Sequence, residues 1–217
     1  MDNQAGAPQP YRIVTPPSAA TMACKRAFDI LCSFLGLAVL SPVLLVVSVL
    51  VAVTSPGGVF FRQERIGKDG KPFRIFKFRS MRKDNAGLKI TTGNDSRITP
   101  VGRFLRKSKI DELPQLINVL VGDMSFVGPR PEVADYVNLY TPYQRQVLLV
   151  RPGITGLASI RFRNENDLLT ASDDPNRTYV EQIMPRKIDL DLEYIPHASV
   201  FYDIKLIFQT FAVVIKE

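Results

Sequence analysis

Hydrophobicity along this chain is gathered into a few stretches. Positions 30–53 are an unbroken uncharged run of 24 residues rich in Leu and Val. At 1.5 Å per residue that run makes about 36 Å of helix, enough to cross a bilayer. Ser41-Pro42 falls in its middle, where proline removes a backbone bond and kinks a helix. Lys25 and Arg26 precede the run, and Arg62, Arg65, Lys68 and Lys71 follow it. Lys and Arg mark the cytoplasmic side of a membrane, so both ends favour the same side. A bent hairpin satisfies this, with arms of about a dozen residues each; a kinked spanning helix remains the alternative. Pro56-Gly57-Gly58 ends the segment.

Beyond it the period changes. Gly67 to Gly70 reads as a turn. Phe73 and Ile75 alternate with Arg74, then Phe76 and Phe78 with Lys77, a period of two with one slip. This predicts a short strand or a hairpin with a bulge. Positions 83–96 read as a mobile polar loop. Thr99-Pro100 predicts an N-cap with proline at the first helical position, and Val101, Phe104 and Leu105 its apolar face. A helix is expected over 133–150, interrupted at Thr141-Pro142. RPGITG (151–156) reads as a turn whose glycines permit close approach to a ligand. Positions 164–176 read as a polar loop, and 179–194 as two short helices around Pro185. Ser199 caps a last helix striped by Val200, Ile204, Ile207, Phe208, Phe211 and Val214. The expected fold class is α+β, predominantly helical with a small β-hairpin element. Its expected parts are a disordered tail (1–20), a membrane helix (21–58) and a membrane-associated domain (59–217).

Charge adds a partner class. The chain of 217 residues carries a net charge of +7, and fifteen of its 28 Lys and Arg lie between positions 62 and 109. Such a surplus suits anionic partners: phosphorylated substrates, acidic lipid or nucleic acid. No nucleic-acid motif or aromatic–basic stacking platform accompanies it, which disfavours nucleic acid. Two cysteines, Cys24 and Cys32, point to neither a disulfide framework nor a metal cluster. A lone His197 excludes multi-histidine sites.

The chemistry concentrates in RKSKIDELPQLINVLVGDMSFVGPRP (106–131). Pro114 belongs in a first helical turn, so a helix is expected to begin around positions 111–113. Leu113, Leu116, Ile117 and Leu120 then share a buried face. Asp111 and Glu112 would sit beside free N–H groups and the positive end of the helix dipole. That setting keeps Asp111 ionised and suits a nearby phosphate. One carboxylate could act as a nucleophile and the other bind a divalent cation. An isolated Asp-Glu pair is more commonly an N-cap with a helix-favouring neighbour, and spacing alone does not separate the two. Asp123 either supports the site or is a turn carboxylate after Gly122.

Taken in order, KRAFDI, SP, FRQERIG, FKFRSM, IDELPQLINVLVGDMSFVGPRP and RPGITG resemble the bacterial sugar transferase family. These are the monotopic polyprenyl-phosphate phosphoglycosyl transferases, and the likeness runs from about position 25 to the C-terminus. The resemblance implies a re-entrant membrane helix bent at Ser41 and Pro42, and substrates that are a UDP-sugar and polyprenyl phosphate. It implies Asp111 as nucleophile on the β-phosphate, Glu112 holding Mg²⁺, and Arg106 and Arg130 gripping phosphate, with Lys77 a weaker candidate. It further implies the lipid bilayer as partner, at the cytoplasmic face of a bacterial inner membrane. Some relatives carry a multi-span region ahead of this unit; the short stretch here resembles the minimal catalytic form. The segment 164–185 departs from the family pattern, so the sugar is not transferable by analogy. The competing reading is a non-catalytic basic membrane-anchored module that binds anionic lipid or scaffolds glycan assembly.

Overall fold

Ser18 opens the first helix by accepting the backbone N–H of Thr21 at 3.2 Å. In the computed structural model, residues 12–55, 57–82 and 97–214 are described. The apolar run lies within a 36-residue helix, α1 (Ala19–Thr54), that continues through Pro42. Leu31, Phe34, Val39, Leu45 and Val53 on its outer face are each more than half exposed. A helix of this length and composition can cross a membrane, and only 11% of its most apolar window is buried. Its inner stripe has a different character in each half. Lys25, Asp29 and Ser33 are buried before Pro42, and Val47 and Val51 after it. Both halves rest on the same body of protein. Lys25 and Asp29 reach strand β3 (Ser125–Val127), and Arg26 donates to the carbonyls of Val119 and Leu120 at 2.5 and 2.8 Å. Val47 and Val51 pack with Phe78 and Leu105.

The predicted hairpin is present as β1 (Phe60–Ile66) and β2 (Pro72–Phe78), joined by a turn with Asp69 at positive φ. Its register is regular from Phe60 opposite Phe78 to Ile66 opposite Pro72, with no bulge. The slip in the pattern has another cause: both faces of β2 are covered. Ile75 packs with Val119 and Met124 on one face, and Phe78 with Val51 and Leu105 on the other.

Helix α2 (Pro100–Lys107) starts as expected, with Thr99 accepting the N–H of Gly102 at 2.9 Å. Leu105 is buried on it, but Phe104, expected on the same face, is 65% exposed. The carboxylates do not open the next helix. Lys109 takes a left-handed conformation, Ile110–Glu112 form a separate 3-10 turn, and α3 (Gln115–Val121) begins behind Pro114. Its most buried side chains are Gln115, Leu116, Asn118 and Val119, whereas Leu113, Ile117 and Leu120 are half-buried. Asn118 explains the difference. It ties α3 to β2, accepting from the Phe76 N–H at 2.9 Å and donating to the Arg74 carbonyl at 2.9 Å.

Strand β3 pairs in parallel with β4 (Gly153–Thr155). Between them lies one turn of helix, α4 (Ala134–Val137), then a 3-10 segment over Gln144–Leu149, in place of a long interrupted helix. The supposed loop at 164–176 holds two short helices, α6 (Glu165–Thr170) and α7 (Pro175–Thr178), after α5 (Leu157–Arg161). A π-helical turn (Tyr179–Ile183) leads into α8 (Met184–Tyr194). Ser199 does cap α9 (Val200–Val214), accepting from the Tyr202 N–H at 3.3 Å. The buried face of α9 nevertheless runs through Asp203 and Leu206, and Phe208 and Phe211 are largely exposed. The main core gathers residues of α8, Val127, Tyr136, Val147 and Leu206.

At the N-terminus, the expected tail is in part ordered. Val14 is buried and its N–H donates to Gln146 at 2.7 Å. The polar loop at 83–96 lies outside the described residues.

Candidate active site

The turn bearing Asp111 and Glu112 is pinned by Ile110, which packs beside Val47, Val51, Phe78 and Leu105. Adjacent residues on so tight a turn diverge. Glu112 faces an open cavity, while Asp111 is 7% exposed beneath it. Lys77 shares a face of β2 with buried Ile75, which directs its ammonium at the turn. Glu112 Oε1 accepts Lys77 Nζ at 2.7 Å and Arg130 Nη2 at 3.0 Å. Arg130 stands on GPRP, a loop fixed by backbone bonds from the N–H of Gly128 to Thr155 (3.0 Å) and of Gly153 to Pro129 (2.9 Å). The glycines let the backbone segments around Gly128 and Gly153 pack closely. A Cβ on Gly153 would overlap the Gly128 nitrogen, and one on Gly156 the Gly128 carbonyl.

These positions set the charges. Burial pushes the Glu112 carboxyl up, but Lys77 and Arg130 outweigh it and hold the group well below the usual carboxylate range. Arg130 is held above its ordinary value by the Glu112 charge. Burial lowers Lys77 despite Glu112. Asp111 moves the opposite way from its neighbour. Burial and the Glu112 charge raise it, against Lys77, Arg106 and Lys109. No α-helix begins at Asp111, so the α-helix end expected to favour its ionised form is missing there, and desolvation is the largest of the influences that raise its carboxyl.

Lys77, Glu112 and Arg130 thus form one bonded cluster. Arg106 adjoins Asp111 electrostatically, while its Nη1 lies 3.7 Å from the Met81 sulfur. Asp123 takes the turn role, with Oδ2 accepting from Asn118 at 3.2 Å. Ser41 and Pro42 are exposed on α1, and Ser41 donates to the Ala38 carbonyl at 2.8 Å.

The cavity beside Glu112 has a volume of about 670 Å³. Its apolar side includes Phe28, Leu116, Ile207 and Phe211 from α1, α3 and α9. Its polar side carries Arg130, Glu165 and Lys187, the last two joined at 2.7 Å. No local pattern in the sequence marks Glu165 and Lys187 as a pair. The available signal was Lys187 and Asp191 interrupting the apolar period of α8. Asp191 is buried, and its Oδ1 has no hydrogen-bond partner among the described residues. Burial pushes its carboxyl up to about 7, against Lys187 and the backbone N–H groups of Ala158 and Arg130.

The described residues contain no group of three or more His, Cys, Asp or Glu arranged to hold a metal. Mg²⁺ is commonly bound by one or two carboxylates plus substrate phosphates, and Glu112 offers one carboxylate to the cavity. Both bonds to Glu112 fall on Oε1.

Comparison with known proteins places the chain. The family model described as bacterial sugar transferase matches residues 20–217, and the chain belongs to that family. UDP-glucose:undecaprenyl-phosphate glucose-1-phosphate transferase of Escherichia coli (strain K12) is 44% identical over 90% of this chain and 41% of its own length. UDP-N-acetylgalactosamine-undecaprenyl-phosphate N-acetylgalactosaminephosphotransferase of Aeromonas hydrophila is 38% identical over 89% of this chain and 44% of its own length. The chain therefore spans less than half of either relative. The exopolysaccharide production protein PSS of Rhizobium leguminosarum bv. phaseoli is 41% identical, covering 86% of this chain and 92% of that protein.

Proposed function

We propose that this chain transfers a sugar-1-phosphate from a UDP-sugar to polyprenyl phosphate in the first membrane step of bacterial glycan assembly. The observation that carries the reading is the bonding of Glu112 to both Lys77 and Arg130 beside Asp111, whose oxygens receive no hydrogen bond from the described residues. An enclosed carboxylate next to fixed cations is suited to attack phosphorus and to bear the charge that follows.

An oxygen of ionised Asp111 attacks the β-phosphorus. The bond from that phosphorus to the bridging oxygen breaks, and UMP leaves with the electron pair. A phosphate oxygen of the polyprenyl carrier then attacks the same phosphorus, giving polyprenyl-diphosphate sugar and restoring the Asp111 carboxylate. Arg130 presents a planar fork to phosphate oxygens, and Lys77 and Arg106 add positive charge around the turn. Glu112, with substrate phosphates, would hold Mg²⁺, which when bound neutralises phosphate charge.

The reading extends to the membrane, with 59–217 as the catalytic unit. Because both halves of α1 rest on one body, a re-entrant helix bent near Ser41-Pro42 suits the chain better than a straight crossing. The cavity's apolar side, between α1 and α9, would take the start of the carrier tail. The site then faces the cytoplasm, where nucleotide sugars are dissolved.

The direct assay is UMP release from a panel of UDP-sugars with polyprenyl phosphate and Mg²⁺ in detergent. Release with at least one donor, dependent on carrier for turnover, is expected; silence with every donor would contradict the transferase reading. For topology, tags at both ends are expected on the cytoplasmic side, and a periplasmic N-terminal tag would contradict the hairpin.

A further inference from the structure

The cavity that Glu112 lines also holds a built polar arrangement. Glu165 Oε2 accepts Lys187 Nζ at 2.7 Å. The Lys187 side chain is 8% exposed and that of Glu165 25%, so the ammonium is embedded and the carboxylate opens to the cavity. Lys187 Nζ also lies 5.3 Å from the Tyr179 ring centroid, and the Tyr179 hydroxyl donates to Glu132, two residues past Arg130. Lys187 therefore orients Glu165, whose charge acts on Arg130, another residue of the same cavity.

A carboxylate is the wrong group to grip phosphate. Lys77 and Arg130 already supply the cations for that, and a negative charge repels a phosphoryl group. Held by one ammonium, it keeps unused lone pairs. Its natural partner in a cavity that admits a phosphosugar is a neutral group with several O–H donors.

We propose that Glu165, oriented by Lys187, is a specificity-determining residue that accepts hydrogen bonds from hydroxyls of the donor hexose whose phosphate lies at Arg130. The assignment rests on the transferase reading. Lys187 is a positioning residue, acting through Glu165. A wrong hydroxyl orientation forfeits that hydrogen bond, which is how a polar contact becomes discrimination.

The test measures kcat/KM for epimeric donors, UDP-glucose and UDP-galactose, in the full chain and in Glu165→Gln, Glu165→Ala and Lys187→Met, with thermal unfolding recorded for each. The Glu165 variants are expected to compress the ratio between epimers by about tenfold or more, as loss of a hydroxyl contact does. Lys187→Met should move the ratio in the same direction, and the KM for polyprenyl phosphate should hold within about twofold. An unchanged ratio with all donors reduced alike would overturn the assignment while leaving the transferase reading intact. No UMP from the unaltered chain with any donor would overturn both.

Discussion

Lys25, near the start of α1, donates to Asp203 on α9, 178 positions later, at a point closed to water. The same ammonium donates to the Val127 carbonyl at 3.0 Å, and Asp203 also accepts the Tyr194 hydroxyl at 2.7 Å. One charge pair therefore joins the long helix, β3, α8 and α9. Burial raises the Asp203 carboxyl, and Lys25 and Tyr194 oppose that shift. The pair fixes where the apolar helix meets the folded body.

Lys25→Met should cost about 3–5 kcal/mol, because Asp203 would be left buried without its counter-ion. Denaturant unfolding in detergent measures it. Lys25→Met with Asp203→Leu should recover part of the loss, since neither charge then remains enclosed. A single variant within about 0.5 kcal/mol of the parent, as expected of an exposed pair, would show that the contact contributes little.

Asp191 predicts a pH dependence with a definite sign. Its carboxyl rises from 3.8 to about 7 in the folded chain. Between those values the folded chain holds a proton that the unfolded chain has released, so this group's contribution to stability falls as pH rises. Asp191→Asn should raise the unfolding temperature near about pH 8 and leave it nearly unchanged near about pH 4. Unfolding temperatures across that range decide the matter; a variant curve parallel to the parent's would contradict it.

Lys77 should be felt at both carboxylates. It opposes the upward shift of Asp111 and holds Glu112 down. Lys77→Met should therefore move the acid limb of the pH–rate profile to higher pH. It should also slow UMP release by roughly 10²-fold, the scale of losing one fixed donor at a charged transition state. A slower enzyme with an unmoved acid limb would confine Lys77 to a structural role.

Features specified by neighbouring residues were legible in the chain. Thr99-Pro100 announced α2, Ser199 announced α9, and Gly67 to Gly70 announced the turn between β1 and β2. Features that depend on distant partners were not. The apolar residues of α9 suggested a stripe through Phe208 and Phe211, but the helix turns Asp203 inward because Lys25 meets it there. Phe78 looked out of phase because coverage of both faces of β2 comes from elements remote in sequence. Lys109 takes a left-handed conformation with no glycine to signal it, so the sequence does not separate the 3-10 turn from the start of α3. At the site, the family motifs named Asp111, Glu112, Lys77, Arg106 and Arg130. Glu165 and Lys187 escaped notice because they lie 22 positions apart on separate helices.

Asp111 is the group proposed to take the phosphosugar. Intact-mass measurement after incubation with a UDP-sugar and Mg²⁺, without carrier, tests this directly. The parent chain should gain the mass of one sugar phosphate and lose it when polyprenyl phosphate is added, and Asp111→Asn should gain nothing. A normal adduct on Asp111→Asn, or turnover in the parent with no adduct at any time, would contradict the assignment.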